Sequence, residues 1–563
     1  MRPVLVSALV LAAAPGFAGS RTVTLTAAEK QAAALIRPEV IRAHTRFLAS
    51  DLLEGRGPAS RGDRLAQEYI AAQLEALGLE PAAPNGTFFQ PLDIVGILSH
   101  NPETLTFSQA GSGGGSLNLR LLDDFIAFSG LEQPEVAVTN AEVVFVGYGI
   151  VAPEYRWDDY KGQDLKGKVL LMMNNDPEDD PQLFEGKTRL YYGRWDYKYE
   201  IAAEQGAAGA IIIHTTPSAG YPWQVVQTSW SGEQFALPAT AETREVPVKS
   251  WVTEESARKL VELAGQNLDA LRAAAQKRDF RPVPLGVQVS LGLRNDVQRK
   301  ATANVLARLP GRDPLLAKEA VIYTAHHDHL GIKEDAKPGE DKIYNGALDN
   351  ASGVGVMLAI ARAMTSLPEP PRRSILFAAV AGEEQGLLGS TYLAAHPPIP
   401  AGRLAANINF DGASIYGRTR DLTALGFGKS DLDEWIVGLA ALQNRRVVPD
   451  QFPDRGYYYR SDQFALAKIG VPAAYFDSGT EVIGQPPGWG KKRMEEFEEK
   501  HYHQPSDQLG SHWDFSGAVE DAQLGFFLGL KVASETALPA WKAGDEFEAA
   551  RKKALAETGA SVR

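Results

Sequence analysis

The sequence predicts an α/β fold with a mixed, mostly parallel sheet covered by helices on both faces. Three observations carry this. From residue 301 onward, apolar strand-like runs alternate with helix-period segments, the pattern of successive βαβ units. Three apolar runs end in polar clusters: Ala325-His326-His327-Asp328-His329, Ala381-Gly382-Glu383-Glu384-Gln385-Gly386, and Asp411 after Asn407-Ile408-Asn409-Phe410. In parallel sheets, ligands collect just beyond the carboxyl ends of strands. A second α/β texture, between about 137 and 280, has strands of its own and no obvious catalytic residue.

In chain order, apolar residues at three- and four-residue spacing predict helices over 27–36 and 61–77, with Gly78 as the stop. Residues 48–58, rich in Gly and ending in Pro58, form a loop between them. A strand is expected over 87–97, then a Gly/Ser-rich break at 111–116. The second module should hold strands over 141–149, 168–173, 210–214 and 246–252, with helices over 197–205 and 253–264. His214, alone at a strand end, reads as a structural histidine. Next come a strand at 320–324, a helix at 352–364 opened by Asp349, and a strand at 373–380. A helix at 386–395 and a strand at 404–410 follow, then helices at 430–442 and 462–468 and a strand at 471–476. The charged run 491–500 precedes His501-Tyr502-His503, and a long helix over 516–536 closes the domain.

The chain has 563 residues, too many for one ordinary core. Its composition, 44% hydrophobic and 23% charged, is that of a globular protein, and its net charge of −13 argues against a nucleic-acid partner. There are no cysteines, so any metal must be held by His, Asp and Glu, and a lipidated cysteine anchor is excluded. Residues 1–20 look like an export signal: Arg2, a short apolar run, then Gly16-Phe17-Ala18 as a cleavage site. The run is shorter than the ~20 apolar residues a membrane span needs, and no other span is visible. An exported protein, periplasmic or secreted, is expected.

Hydrolysis of an amide at neutral pH needs an activated water and charge to hold the oxyanion, which two divalent ions supply. The chain offers a matching set: His326 and Asp411 for one ion, Glu384 and His503 for the other, and Asp349 as a bridge. Asp328 is placed to accept the second ring N–H of His326. Glu383, adjacent to a ligand but facing elsewhere, is placed to act as general base. Each element also has a plainer reading. A Glu pair is usually solvated, Asp349-Asn350 and Asp411-Gly412 suit turns, and His327 and His329 rival His326 on composition alone.

Five ordered motifs carry a resemblance: His326-x-Asp328, Asp349-Asn350-Ala351-Ser352-Gly353, Gly382 to Ser390, Asn409-x-Asp411 and Tyr502-His503-x-Pro505-x-Asp507. The pattern resembles the co-catalytic zinc exopeptidases of metallopeptidase family twenty-eight, which includes bacterial aminopeptidases and glutamate carboxypeptidase II. The resemblance implies a three-layer αβα phosphorylase/hydrolase-like domain binding two Zn2+. His326, Asp349, Glu384, Asp411 and His503 would be ligands, with Asp328 orienting His326. Glu383 would be the general base toward a metal-bridging water, and Tyr502 would polarise the scissile carbonyl. It also implies a cis peptide at Asp349–Asn350. Gly147-Tyr148-Gly149, Asp158-Asp159-Tyr160, Lys166-Gly167-Lys168-Val169 and Gly206 to Ala210 resemble an inserted, β-rich protease-associated domain. The implied division is a signal at 1–20, the start of the peptidase domain at 21–136, the insert at 137–280, the main peptidase domain at 281–540, and a helical tail at 541–563.

The expected activity is removal of N-terminal residues from peptides. A carboxypeptidase, a glutaminyl cyclase and a non-catalytic receptor-like relative are the alternatives, and the complete ligand set disfavours the last two. The run at 484–500 is longer and more charged than in the family and suits a pocket wall or lid. The aromatics of 191–195 and 221–223 are expected to pack the insert against the peptidase domain. Oligomeric state is not readable.

Overall fold

Side-chain alternation builds the central sheet from both faces. In the strand Ala320–His326, Val321, Tyr323 and Ala325 enter one core while Ala320 and Ile322 enter another. Ser374–Val380 divides in the same way, Ile375, Phe377 and Ala379 against Leu376, Ala378 and Val380. Both strands are buried throughout because each face carries helices. On the first face lie Gly353–Thr365 and Ser516–Ser534; on the second, Leu388–Ala395 and Gln463–Lys468. Gly529 allows the close approach of the long helix, since a Cβ there would meet the Tyr323 hydroxyl at 1.9 Å. The computed structural model describes residues 21–111, 114–333 and 336–560. The expected export signal at 1–20 lies outside the described residues.

The sheet is mixed and mostly parallel. Ser374–Val380, Ala320–His326, Leu404–Asn409 and Ala473–Asp477 are neighbours in that order and run parallel. Val283–Leu309 borders this group antiparallel on one side, and Asp421–Leu425 on the other. The N-terminal helices Ala27–Ala33 and Arg61–Ala76 form as expected, capped by Thr26 and Ser60. Between them a helix not separately foreseen, Pro38–Leu48, starts with Pro at its first turn and buries Val40, Ile41 and Leu48.

The same continuous sheet runs into a second region built around Val169–Met173 and Gly209–His214, which pair parallel with each other and with Glu135–Phe145 and Val248–Thr253. It also recruits strands from outside 137–280: Phe125–Ser129 pairs with Val248–Thr253, and Thr104–Gln109 pairs with Val283–Leu309. That 27-residue strand joins the two halves of the molecule. Its first part pairs with Glu135–Phe145 and its last part with Ser374–Val380. His214 is buried with Nε2 3.0 Å from the Tyr221 carbonyl, a structural contact. Tyr191 packs on Phe464 of the peptidase domain with ring centroids 5.1 Å apart, as the aromatic density of 191–195 suggested.

One buried charge ties the N-terminal loop to the sheet. Arg56 donates to the carbonyls of Leu48, His327, Asn345 and Gly346 and is 1% exposed. Burial lowers its pKa to about 10, against the pull of Asp328 and Asp507. Replacing Arg56 with Met strands four buried acceptors, so the variant is expected to lose about 3–5 kcal/mol of stability. A thermal melt checks this; an unchanged midpoint would show that the loop is not anchored there.

Candidate metal centre

Three of the donor side chains, His326, Glu384 and Asp411, are delivered at or just past the carboxyl ends of parallel strands. His326 is the last residue of its strand. After Val380, Gly382 at φ +66° turns the chain into a single helical turn, Glu383–Gln385. Asp411 stands two residues past Leu404–Asn409. Asp349 lies in the irregular turn before Gly353–Thr365, and its peptide bond to Asn350 is cis, as expected. His503 follows the helix Trp489–Lys500 and holds a left-handed backbone at φ +55°.

All five expected ligands converge. His326 Nε2 lies 3.2 Å from Asp349 Oδ1 and 3.2 Å from Asp411 Oδ1. His503 Nε2 lies 2.9 Å from Glu384 Oε2 and 3.3 Å from Asp349 Oδ2. One Asp349 oxygen therefore faces each histidine. Glu383 Oε2 stands farther off, 3.9 Å from His326 Nε2.

The donor set fits a pair of divalent cations. Asp349, Glu383, Glu384 and Asp411 are packed against three imidazoles, those of His326, His329 and His503, still an excess of negative charge that burial makes costly unless cations balance it. His503 Nε2 is buried and makes no hydrogen bond, although two carboxylates stand beside it. His326, Asp349 and Asp411 hold donor atoms within 4.8 Å of one another. Nitrogen and carboxylate donors without thiolate suit zinc.

Asp328 departs from its expected role. Its carboxylate is 3.8 Å from His326 Nδ1, beyond hydrogen-bond reach, and the Asp328 carbonyl takes the nearer place at 3.3 Å. The carboxylate instead accepts from the backbone N–H of Glu383 at 3.1 Å and of Glu384 at 3.3 Å. The turn after Gly382 points those two amides at it, so Asp328 fixes the Glu pair.

The rival histidines also find partners. His327 Nε2 meets Asp63 at 2.9 Å, away from the cluster. His329 Nδ1 lies 2.5 Å from Glu384 Oε1, which leaves Oε2 on the side of His503. Gly346, at φ +54°, leaves the room this ring needs: a Cβ there would meet it at 2.6 Å. Three supporting residues had no role assigned from sequence. Asp507 accepts from the backbone N–H of Leu348 and Asp349. Asn350 Oδ1 accepts from Gly353 and Gly412, tying the Asp349 turn to the Asp411 loop. Arg460 Nη2 donates to the Tyr502 hydroxyl at 2.9 Å. Asn350 and Asp507 lie inside the motif segments, but nothing in their spacing says what they hold.

The electrostatics separate the Glu pair. Burial, reinforced by Asp411 and Glu384 against the pull of His326, holds the Glu383 carboxyl well above the usual range. Burial and Asp349 also push Glu384 up, but His503 and His329 outweigh them and bring it to about 2. Burial holds the Tyr502 phenol well above its ordinary value, so it stays protonated, although Arg460 pulls the other way.

A cavity of about 160 Å³ opens onto the donors, lined among others by Asp349, Glu383, Asp411 and Tyr502. The charged run supplies one wall, as anticipated, through Met494, Phe497 and Glu498 of the helix Trp489–Lys500.

Residues 304–527 match Peptidase family M28. A probable zinc metalloprotease of Pyrenophora teres f. teres (strain 0-1) is 39% identical over 98 residues, 16% of this chain and 18% of that protein. Aminopeptidase NAALADL1 of Mus musculus is 33% identical over 112 residues, 19% of this chain and 13% of its own. The matched stretches thus span less than a fifth of either relative's length. Among solved structures, the aminopeptidase from Aneurinibacillus sp. strain AM-1 shares the fold with a TM-score of 0.52 at 20% identity, covering 91% of this chain and 97% of that chain.

Proposed function

We propose that this chain, whose residues 304–527 belong to peptidase family M28, is an exported two-zinc aminopeptidase that removes N-terminal residues from peptides. The observation that carries this reading is the convergence of His326, Asp349, Glu384, Asp411 and His503 beside a carboxylate, Glu383, that holds back from the histidines. His326 and Asp411 would hold one ion, Glu384 and His503 the other, with Asp349 available to both. When bound, the zinc ions supply an activated water and positive charge for the carbonyl oxygen.

The protein's own groups do the rest. Glu383, whose carboxylate stands 3.9 Å from His326 Nε2, takes a proton from the attacking water and returns it to the departing amine. Asp328 holds the backbone of that turn, and His329 orients Glu384. Because the Tyr502 oxygen accepts from Arg460, its own proton is free to point at the carbonyl oxygen. Tyr502→Phe is expected to lower kcat by about 10²-fold with little change in KM. Steady-state kinetics check this, and an unchanged kcat would remove Tyr502 from the reaction.

The cavity's charge favours a free amine over a carboxylate at the substrate terminus. Beyond the ligand set it carries Asp477 and Glu498, while its Arg460 is engaged by the Tyr502 hydroxyl and lies over the rings of Tyr221, Tyr457 and Tyr502. The cavity has room for about one side chain, which suits an exopeptidase. The insert, read as a protease-associated domain over 137–280, reaches the segment of the last ligand through Tyr221 and Gln224, which meet Tyr502 and Gln504. Export rests on the signal-like residues 1–20; among the described residues no helix is long and apolar enough to cross a membrane. A panel of free-amino and N-blocked peptides tests the reading. Release from free-amino substrates alone is expected. Cleavage of N-blocked peptides from the carboxyl end would make the protein a carboxypeptidase, and no turnover on either set would end the enzyme reading.

A further inference from the structure

We infer that the inserted module completes the metal centre, with Ser229 as the positioning residue for His503. Ser229 Oγ lies 2.8 Å from His503 Nδ1. The other ring nitrogen, Nε2, is the one that faces Glu384 and Asp349. For Nε2 to present a lone pair to a cation, the ring proton must sit on Nδ1, and an acceptor there fixes both tautomer and ring orientation. The Ser229 hydroxyl oxygen is that acceptor. His326 takes its corresponding contact from its own strand end, the Asp328 carbonyl. His503 takes it from the other half of the molecule.

The helix that carries Ser229 is built to hold this position. Trp223–Trp230 buries Val225, Val226 and Trp230 in the module's core. Trp223 Nε1 and Gln227 Nε2 both donate to the Leu122 carbonyl, at 2.7 and 3.0 Å. Gln224 at the start of the same helix donates to Gln504 at 2.8 Å, so the helix grips the chain on the far side of His503 as well. His503 itself sits at φ +55°, a conformation uncommon for a residue with a side chain, and these contacts oppose its relaxation. The affinity of the ion at His503 and Glu384 is therefore linked to the docked position of the module, while the ion at His326 and Asp411 is independent of it.

The inference rests on the two-zinc reading and is separable from it. Metal-free full-length protein is titrated with zinc against a chromophoric chelator, for the wild type, Ser229→Ala and Ser229→Thr, with a thermal melt of each. Two ions are expected in the wild type. In Ser229→Ala one ion should weaken by about 10- to 100-fold while the other is unchanged. Ser229→Thr, which keeps the hydroxyl, should restore the weakened ion. Two equally tight ions in Ser229→Ala, or equal weakening of both ions in Ala and Thr variants alike, would overturn the role of Ser229 and leave the two-zinc reading standing. A wild-type protein that binds no zinc would overturn both.

Discussion

Replacing Glu383 with Gln is expected to lower kcat by about 10³-fold while both zinc ions remain bound. General-base catalysis contributes roughly 10²–10⁴-fold, and Gln keeps the shape of Glu but cannot take the proton. Its backbone N–H still reaches Asp328, so the turn that presents Glu384 is preserved. The distance of 3.9 Å from Glu383 Oε2 to His326 Nε2, against 3.2 Å for Asp349 and Asp411, is the ground for proposing Glu383 as base and not as ligand. Metal analysis and kinetics on one preparation decide the matter. Loss of zinc together with activity would make Glu383 a ligand, and retained turnover would move the base elsewhere.

Replacing Asp349 with Ala is expected to abolish turnover by removing high-affinity binding of both ions. Its two oxygens are the groups that face both histidines, at 3.2 and 3.3 Å. Without it, His326 and Asp411 on one side and Glu384 and His503 on the other keep two donors each, fewer than a tightly held zinc requires. Treating the wild type with a chelator should give the same inactive state, with one difference. Added zinc should restore the chelated wild type and leave Asp349→Ala inactive. Zinc content measured before and after each step checks this, and a variant that retains one tight, active ion would show that Asp349 does not serve both.

Much of this was legible in the sequence, and the failures have physical causes. The parallel core announced itself because strands buried on both faces, such as Ser374–Val380, stand out as apolar runs. The polar residues that interrupt them at their ends could then only be turns or a site. Val283–Leu309 was passed over although Leu285, Val287, Val289, Leu291 and Leu293 alternate with exposed positions along it. That is a plain period of two, obscured because an expected domain boundary fell at its start. The strands Thr104–Gln109 and Phe125–Ser129 were missed because they are short; the partner of Phe125–Ser129 lies more than a hundred residues away, while Thr104–Gln109 forms a hairpin with Ser116–Arg120 and also pairs with Val283–Leu309.

Within the site, residue types were readable and the hydrogen bonds between them were not. Composition could not separate His326, His327 and His329. The fold separates them by giving His327 the buried Asp63 and His329 the second oxygen of Glu384. Asp328 was assigned to the neighbouring imidazole on sequence proximity. The turn geometry after Gly382 assigns its carboxylate to two amides instead. Ser229 could not have been found at all: its contact with His503 spans 274 residues, and no motif surrounds it.

Anomalous diffraction at the zinc edge, from crystals grown with zinc, would test the metal centre most directly. Two peaks are expected, one between His326 and Asp411 and one between Glu384 and His503, with an Asp349 oxygen turned to each. A single peak, or a second peak held by His329 in place of His503, would contradict the assignment.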